Sequence, residues 1–212
     1  MKNNYKIKKY YKTYGLHESN IFDEEISFLE KSHRVKKTVI RSDEIKTDKF
    51  VNHIKEFDAY FLAILGAPLI KKKLINAVKG FAINQHAGHS PNYKGGGTIG
   101  WALYHRNLKY ISNTVHLVNS GADDGPILRR SNVCINKSDS IHNIFIKSVA
   151  LGTELMIESI KQINNSEEIK VFDQPKHAGN TYLFKEFSDD IILSIINDFK
   201  EGWLEVVLNK KP

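Results

Sequence analysis

The 212-residue chain has one cysteine, Cys134. A single thiol excludes an intramolecular disulfide and a multi-cysteine metal cluster, and it is compatible with a reducing compartment. Long apolar runs are also missing. The longest, about residues 59–70, is interrupted by Gly66 and Pro68 and falls short of the roughly 20 residues that span a bilayer. No internal repeat and no low-complexity linker is visible. The N-terminus is basic but no apolar stretch follows it, so no signal peptide is expected and the expected location is cytoplasmic. Acidic residues are outnumbered, 24 against 31 basic ones, for a net charge of +7. That balance favours phosphate-bearing or otherwise anionic partners without choosing among them.

With 41% hydrophobic and 26% charged residues, the composition is that of a globular protein and not of a disordered chain. A chain of this length buries enough surface to form a core without metal or disulfide.

Residues 1–20 mix lysines with Tyr5, Tyr10, Tyr11 and Tyr14, a pattern read as a basic–aromatic terminal arm. Stacking on single-stranded nucleic acid is the alternative for it, but one short arm is a weak footprint and nucleic acid is not the expected partner. Phe22, Ile26 and Leu29 predict a helix near 21–31, and residues 38–40 a short strand. Thr47 is the expected N-cap of a helix carrying Phe50, Val51, Ile54 and Phe57. A buried strand is expected at 58–65, then a helix opened by Pro68 that buries Leu69, Ile70, Leu74 and Val78. Strands follow at 81–86, 114–118 and 133–135, with helices near 101–105 and from Ser138 onward. The tail adds a helix near 188–200 and a last strand at 203–207. Cys134 reads as a small buried hydrophobe, and Trp101 and Tyr104 as core. Strands alternating with helices argue for an α/β fold.

Candidate chemistry concentrates between residues 84 and 128. Asn84 and His86 are two apart at the end of a strand, so their side chains share a face, and ligands of open α/β sheets bind outside the carboxyl ends of the strands. The loop behind them runs Gly88-His89-Ser90-Pro91-Asn92-Tyr93-Lys94-Gly95-Gly96-Gly97. A second strand, Thr114-Val115-His116-Leu117-Val118, ends in Asn119-Ser120-Gly121-Ala122-Asp123-Asp124-Gly125-Pro126-Ile127-Leu128. An amide, an imidazole and a carboxylate can thus meet at strand ends. His86, His89 and Asp123 could suit zinc, but the two histidines lie on a strand end and a loop, nothing completes the ligand set, and no metal is expected. His116 reads as a packing or supporting histidine, and Gly95 to Gly97 as a phosphate cradle or a plain turn.

Asn-x-His, the Pro-x-Tyr-Lys-Gly loop, Thr-Val-His-Leu-Val and Gly-x-Asp-x-Gly-Pro-Ile-Leu together resemble the catalytic domain of the folate-dependent formyltransferases. The resemblance spans about residues 57–130 and stays in register to about 163. It implies a Rossmann-like, mostly parallel sheet flanked by helices. Residues 1–20 show no apolar strand followed by a glycine turn, the family's usual opening, so an atypical or shortened N-terminus is expected. The implied domain plan is an arm over 1–20, a catalytic domain over 21–165 and a C-terminal extension over 166–212 packing on it.

The resemblance further implies a trio of Asn84, His86 and Asp123. It places the pterin of 10-formyltetrahydrofolate against Gly66, Ala67, Pro68, Leu69 and Ile70, and against Ala122. Lys94 stands where arginine is usual and Asn119 where an acid is more usual; neither touches the trio. The implied reaction moves the formyl group to a primary amine of a small acceptor, an amino sugar or nucleotide sugar. The alternatives are a glycinamide ribonucleotide formyltransferase and a non-catalytic binding relative. A homodimer is the default oligomer.

The chemistry asks for these residue types independently. Attack by an amine on a formyl carbon develops an oxyanion, which a side-chain amide can stabilise by about 2.7–4 kcal/mol. A histidine can protonate the leaving nitrogen, and a carboxylate beside it supports that charge.

Overall fold

The computed structural model describes residues 27–28, 31–32, 38–165, 169–175 and 178–209. The chain divides into two units, Met1–Ser42 and Asp43–Pro212; the elements below belong to the second. The expected arm over 1–20 and most of the helix expected over 21–31 lie outside the described residues. Residues 38–40 are exposed coil instead of a strand. Their β-branched triplet finds no neighbouring strand among the described residues, and Val39 is 85% exposed.

Helix α1 (Asp48–Glu56) starts at the expected cap, where the Phe50 N–H donates to Thr47 Oγ1 at 3.3 Å. Its Val51 packs with Ile64, Ile70 and Leu74. Strand β1 (Phe61–Leu65) runs parallel to β2 (Phe81–His86). Only Ile64 of β1 is buried, because β1 lies at the edge of the described sheet. The short β3 (Tyr93–Gly95) leaves this sheet and pairs in parallel with β6 (Asn180–Tyr182). Strand β4 (Ser112–Leu117) is antiparallel to β2, and β5 (Ile127–Asn132) antiparallel to β4, giving the order β1-β2-β4-β5.

This is the expected α/β architecture, a sheet flanked by helices, with strand directions more mixed than the strand–helix alternation implies. Residues 118–126 join β4 to β5 as a loop, and a parallel pairing would need a crossover long enough for a helix.

Three further elements differ from expectation. The helix expected from Pro68 shrinks to one turn, α2 (Lys72–Ile75). Three successive lysines, 71 to 73, crowd its N-terminal end, where the helix dipole disfavours cations, and Leu69 is left exposed. The strand expected at 133–135 is replaced by β5 just before it, whose polar Arg129-Arg130-Ser131-Asn132 hides the strand pattern. Val133 is buried, and Cys134 on the other side of the chain is exposed. The last strand is instead helix α6 (Trp203–Asn209). Trp203, Leu204, Val207 and Leu208 all pack on the core, a helical spacing that the run of β-branched residues disguised.

Helices α3 (Thr98–Tyr104), α5 (Asp189–Lys200) and α6 contribute Ile99, Leu103, Ile195 and Leu204 to one cluster with Ile144 of the long α4 (Ile141–Asn164). The Asn143 N–H donates to Ser140 Oγ at 3.1 Å and caps α4. A second cluster joins Met156 and Ile163 of α4 to Ile83 of β2, Val115 of β4 and Leu128 of β5. Polar side chains extend this helix–sheet seam. Gln85 Nε2 donates to the Val149 carbonyl at 2.9 Å and Asn113 Nδ2 to the Ser148 carbonyl at 3.0 Å. Gly152 makes the approach possible, since a Cβ there would overlap Gln85 Nε2 and the Asn113 amide.

Candidate active site

Alternation along β2 sends Ile83 and Gln85 toward α4, and therefore Asn84 and His86 to the opposite face. The antiparallel register puts His116 of β4 directly across from Asn84. After β4 the chain turns back through Asp123, a non-glycine residue in the left-handed region at φ 50°. Asp123 thereby comes over the carboxyl end of β2.

Four groups close on its carboxylate. His86 Nδ1 lies 3.2 Å from Oδ2, and the Gly95 N–H donates to Oδ2 at 2.8 Å. Asn84 Nδ2 donates to Oδ1 at 3.1 Å, and His116 Nε2 lies 3.3 Å from Oδ1. Asn84 Nδ2 is also 3.2 Å from His116 Nε2. Both imidazoles are nearly buried, at 6% and 3% exposure, while the Asp123 side chain retains 15%.

The far nitrogen of each ring is already spent. His86 Nε2 lies 2.8 Å from the Tyr93 carbonyl, and His116 Nδ1 2.8 Å from the Leu117 carbonyl. A carbonyl only accepts, so those nitrogens carry hydrogen. The near nitrogen of His86 then needs a further proton to bond Asp123, since a neutral ring would oppose lone pair to lone pair.

Burial pushes the His86 imidazolium toward losing its proton, against the Asp123 charge and the Tyr93 carbonyl, which hold it. Burial also pushes the Asp123 carboxyl up, but the His116 hydrogen bond, the His86 charge and the Gly95 N–H outweigh it and hold the group below the usual carboxylate range. These shifts act on one shared proton, so the pair titrates as a unit. Burial leaves a His86 proton easier to release than that of a solvated imidazolium. The cluster can hold an anion's counter-charge, donate an N–H from an amide and hand over a proton.

The trio expected from the sequence is thus brought together. Asp124, the adjacent carboxylate, is exposed and folds over Gly121. His89 packs edge-on against Tyr110, 4.8 Å between ring centroids. Among the described residues, no group of three or more His, Cys, Asp or Glu could hold a metal ion.

The expected donor residues lie at the same sheet edge. Leu65 pairs with Gln85, so residues 66–70 leave β1 beside His86. Gly66, with φ 62°, Ala67, Pro68 and Leu69 are exposed, Ile70 is buried and Ala122 is half-buried next to Asp123. A surface cavity of about 390 Å³ lies elsewhere, lined by Asp48, Val51, Asn52, Lys55, Lys73 and Asn76. It contains none of the clustered groups and carries no functional weight.

Sequence reasoning undervalued His116 and missed the Gly95 N–H. For His116 the signal was the strand register, which one sequence does not disclose. For Gly95 it was the choice between cradle and turn: its N–H serves a carboxylate of the same chain.

The family described as formyl transferase matches residues 9–160. The chain belongs to it. Among its curated relatives, a methionyl-tRNA formyltransferase from Thermodesulfovibrio yellowstonii is 30% identical over 149 residues, covering 70% of this chain and 47% of that one. The chain spans about half the length of the curated relatives it matches. Two solved formyl transferases share the fold. A 4-N formyltransferase from Francisella tularensis has a TM-score of 0.59 at 20% identity, covering 78% of this chain and 64% of that one. A formyltransferase from Anoxybacillus kamchatkensis, solved with UDP-4,6-dideoxy-4-formamido-L-AltNAc and tetrahydrofolate, has a TM-score of 0.55 at 21% identity, covering 72% and 74%. No helix among the described residues is long and apolar enough to cross a membrane.

Proposed function

We propose that this formyl transferase moves the formyl group of 10-formyltetrahydrofolate to the primary amine of a small acceptor, an amino sugar or nucleotide sugar. The observation that carries the reading is the convergence of Asn84, His86, His116 and the Gly95 N–H on one carboxylate, Asp123, at the carboxyl edge of β2.

In this reading Asn84 turns an N–H to the oxyanion formed as the amine attacks the formyl carbon. His86 supplies a proton to the departing folate nitrogen, and Asp123 supports the imidazolium and takes up the proton lost by the amine. Residues 66–70 and Ala122 would line the pterin; their placement at the same edge and the exposure of Leu69 suit a flat apolar ring. The cluster needs no covalent intermediate. The Anoxybacillus relative, crystallised with a formamido nucleotide sugar and tetrahydrofolate, supports the donor and acceptor classes. A second reading, a methionyl-tRNA acceptor, is favoured by the curated relative at 30% identity.

The first test is the melting temperature with 5-formyltetrahydrofolate, an unreactive donor analogue. Ligand at a hundred times its dissociation constant should stabilise by about 2.7 kcal/mol. The shift should persist in Asp123→Asn, while turnover with 10-formyltetrahydrofolate and a panel of amino sugars disappears. Absence of a shift in a cooperatively melting protein refutes the donor. Formylation of methionyl-tRNA alone refutes the acceptor and establishes the second reading.

A further inference from the structure

Gln174 lies outside the stretch that matches the family, in a segment to which the sequence assigned no chemistry. Its Nε2 donates to the carbonyl of Asp123 at 2.9 Å and to that of Gly125 at 2.7 Å. The amide orientation is fixed by these contacts, because the reverse placement would set Oε1 against two carbonyl oxygens. Gln174 Oε1 is buried and has no hydrogen-bond partner among the described residues, so the side chain is held by what its Nε2 donates to.

The Asp123 carbonyl also accepts from Ser90 Oγ at 3.1 Å. Two donors from opposite parts of the chain thus grip the peptide of a residue held at φ 50°. The segment bearing Gln174 is anchored to β5 by a reciprocal pair, Ile127 N–H to the Phe172 carbonyl and Phe172 N–H to the Ile127 carbonyl, both at 2.9 Å. It therefore transmits the position of β5 to the loop.

We infer that Gln174 is a positioning residue for the Asp123 loop: by bridging the Asp123 and Gly125 carbonyls it sets where the Asp123 carboxylate meets His86. It acts through Asp123 and not on the substrate. The kinetic arm of its test rests on the formyl-transfer reading; the spectroscopic arm does not.

The variants are Gln174→Met, which keeps the length and loses the N–H groups, and Gln174→Asn, which keeps the amide but is too short to bridge. Each is examined in the full chain by NMR titration of isotope-labelled histidines and by steady-state kinetics. The groups facing His86 are Asp123, His116 and the Tyr93 carbonyl. Loosening Asp123 weakens the attraction that favours the imidazolium, so the His86 midpoint should fall in both variants. kcat should drop by roughly a hundredfold, the scale of a misplaced reacting group, with little change in the acceptor KM. A His86 curve unchanged in whichever variant folds overturns the inference, as does a lower melting temperature with His86 titration and kcat per folded molecule intact. If the wild type itself transfers no formyl group, the functional reading falls and the histidine titration still decides the role of Gln174.

Discussion

Gly152→Ala sets two effects of opposite sign against each other in the middle of α4. Alanine is the better helix former, by about 0.8–1 kcal/mol. Against that, the new methyl would overlap Gln85 Nε2 and the Asn113 amide. Neither can withdraw into solvent, since Gln85 is 4% and Asn113 0% exposed. Moving them breaks the bonds to the Val149 and Ser148 carbonyls, and each buried polar group left unpaired costs about 1–3 kcal/mol. The net is a loss of about 1–5 kcal/mol. For a domain of this size each kcal/mol is worth about 2–4 °C, so a mid-range loss lowers the melting temperature by roughly 6–12 °C. Reversible thermal unfolding followed by circular dichroism reads this directly. A variant that melts at or above the wild type would show that propensity wins and that the polar seam does not hold α4 to the sheet.

Asn84→Ala should lower kcat about 10²- to 10³-fold with the donor analogue still bound, as for loss of one oxyanion donor; unchanged turnover would remove Asn84 from the reaction. His116→Gln should cost roughly ten- to a hundredfold in kcat, because Asp123 and Asn84 lose a common partner, and steady-state kinetics checks it. Acid should destabilise the fold through His89, whose protonation is disfavoured by burial and then by Arg130. Its pKa is lowered from 6.5, so below that value the unfolded chain binds more protons than the folded one. Its contribution is full above 6.5 and is lost as the pH falls through the folded value. Urea midpoints at about pH 7.5 and about pH 5.5 should therefore differ less in His89→Gln than in the wild type; equal differences refute this. The Asp123 contribution, with a folded pKa lowered from 3.8, is lost only in stronger acid.

The parts of the site that could be read in the sequence were those whose geometry is local. Asn84 and His86 share a face because the strand period is two, and the glycine-flanked Asp123 lies on a turn that its neighbours specify. Thr47 caps its helix for equally local reasons. What remained hidden depended on partners distant in the chain. His116 becomes a member of the cluster only through the β2–β4 register, and Gln174 only because the Ile127–Phe172 bridge brings its segment back. Misread elements have the same origin: α6 resembles a strand until the core shows which residues it buries, and β5 resembles a loop until β4 satisfies its backbone.

The facing of Asn84 and His116 has a consequence for how this chain can change length. Adding or removing residues in the excursion between His86 and Ser112 displaces the Tyr93 carbonyl, the Gly95 N–H and the Ser90 hydroxyl that it lends to the site, but leaves the pairing of β2 with β4 untouched. Deleting one residue inside β4 is different in kind. It would turn His116 toward α4 and bring Val115 to the reacting face, removing the cluster while leaving composition and helices almost unchanged. A scan of single-residue deletions through β4 would trace which of its residues must keep their face.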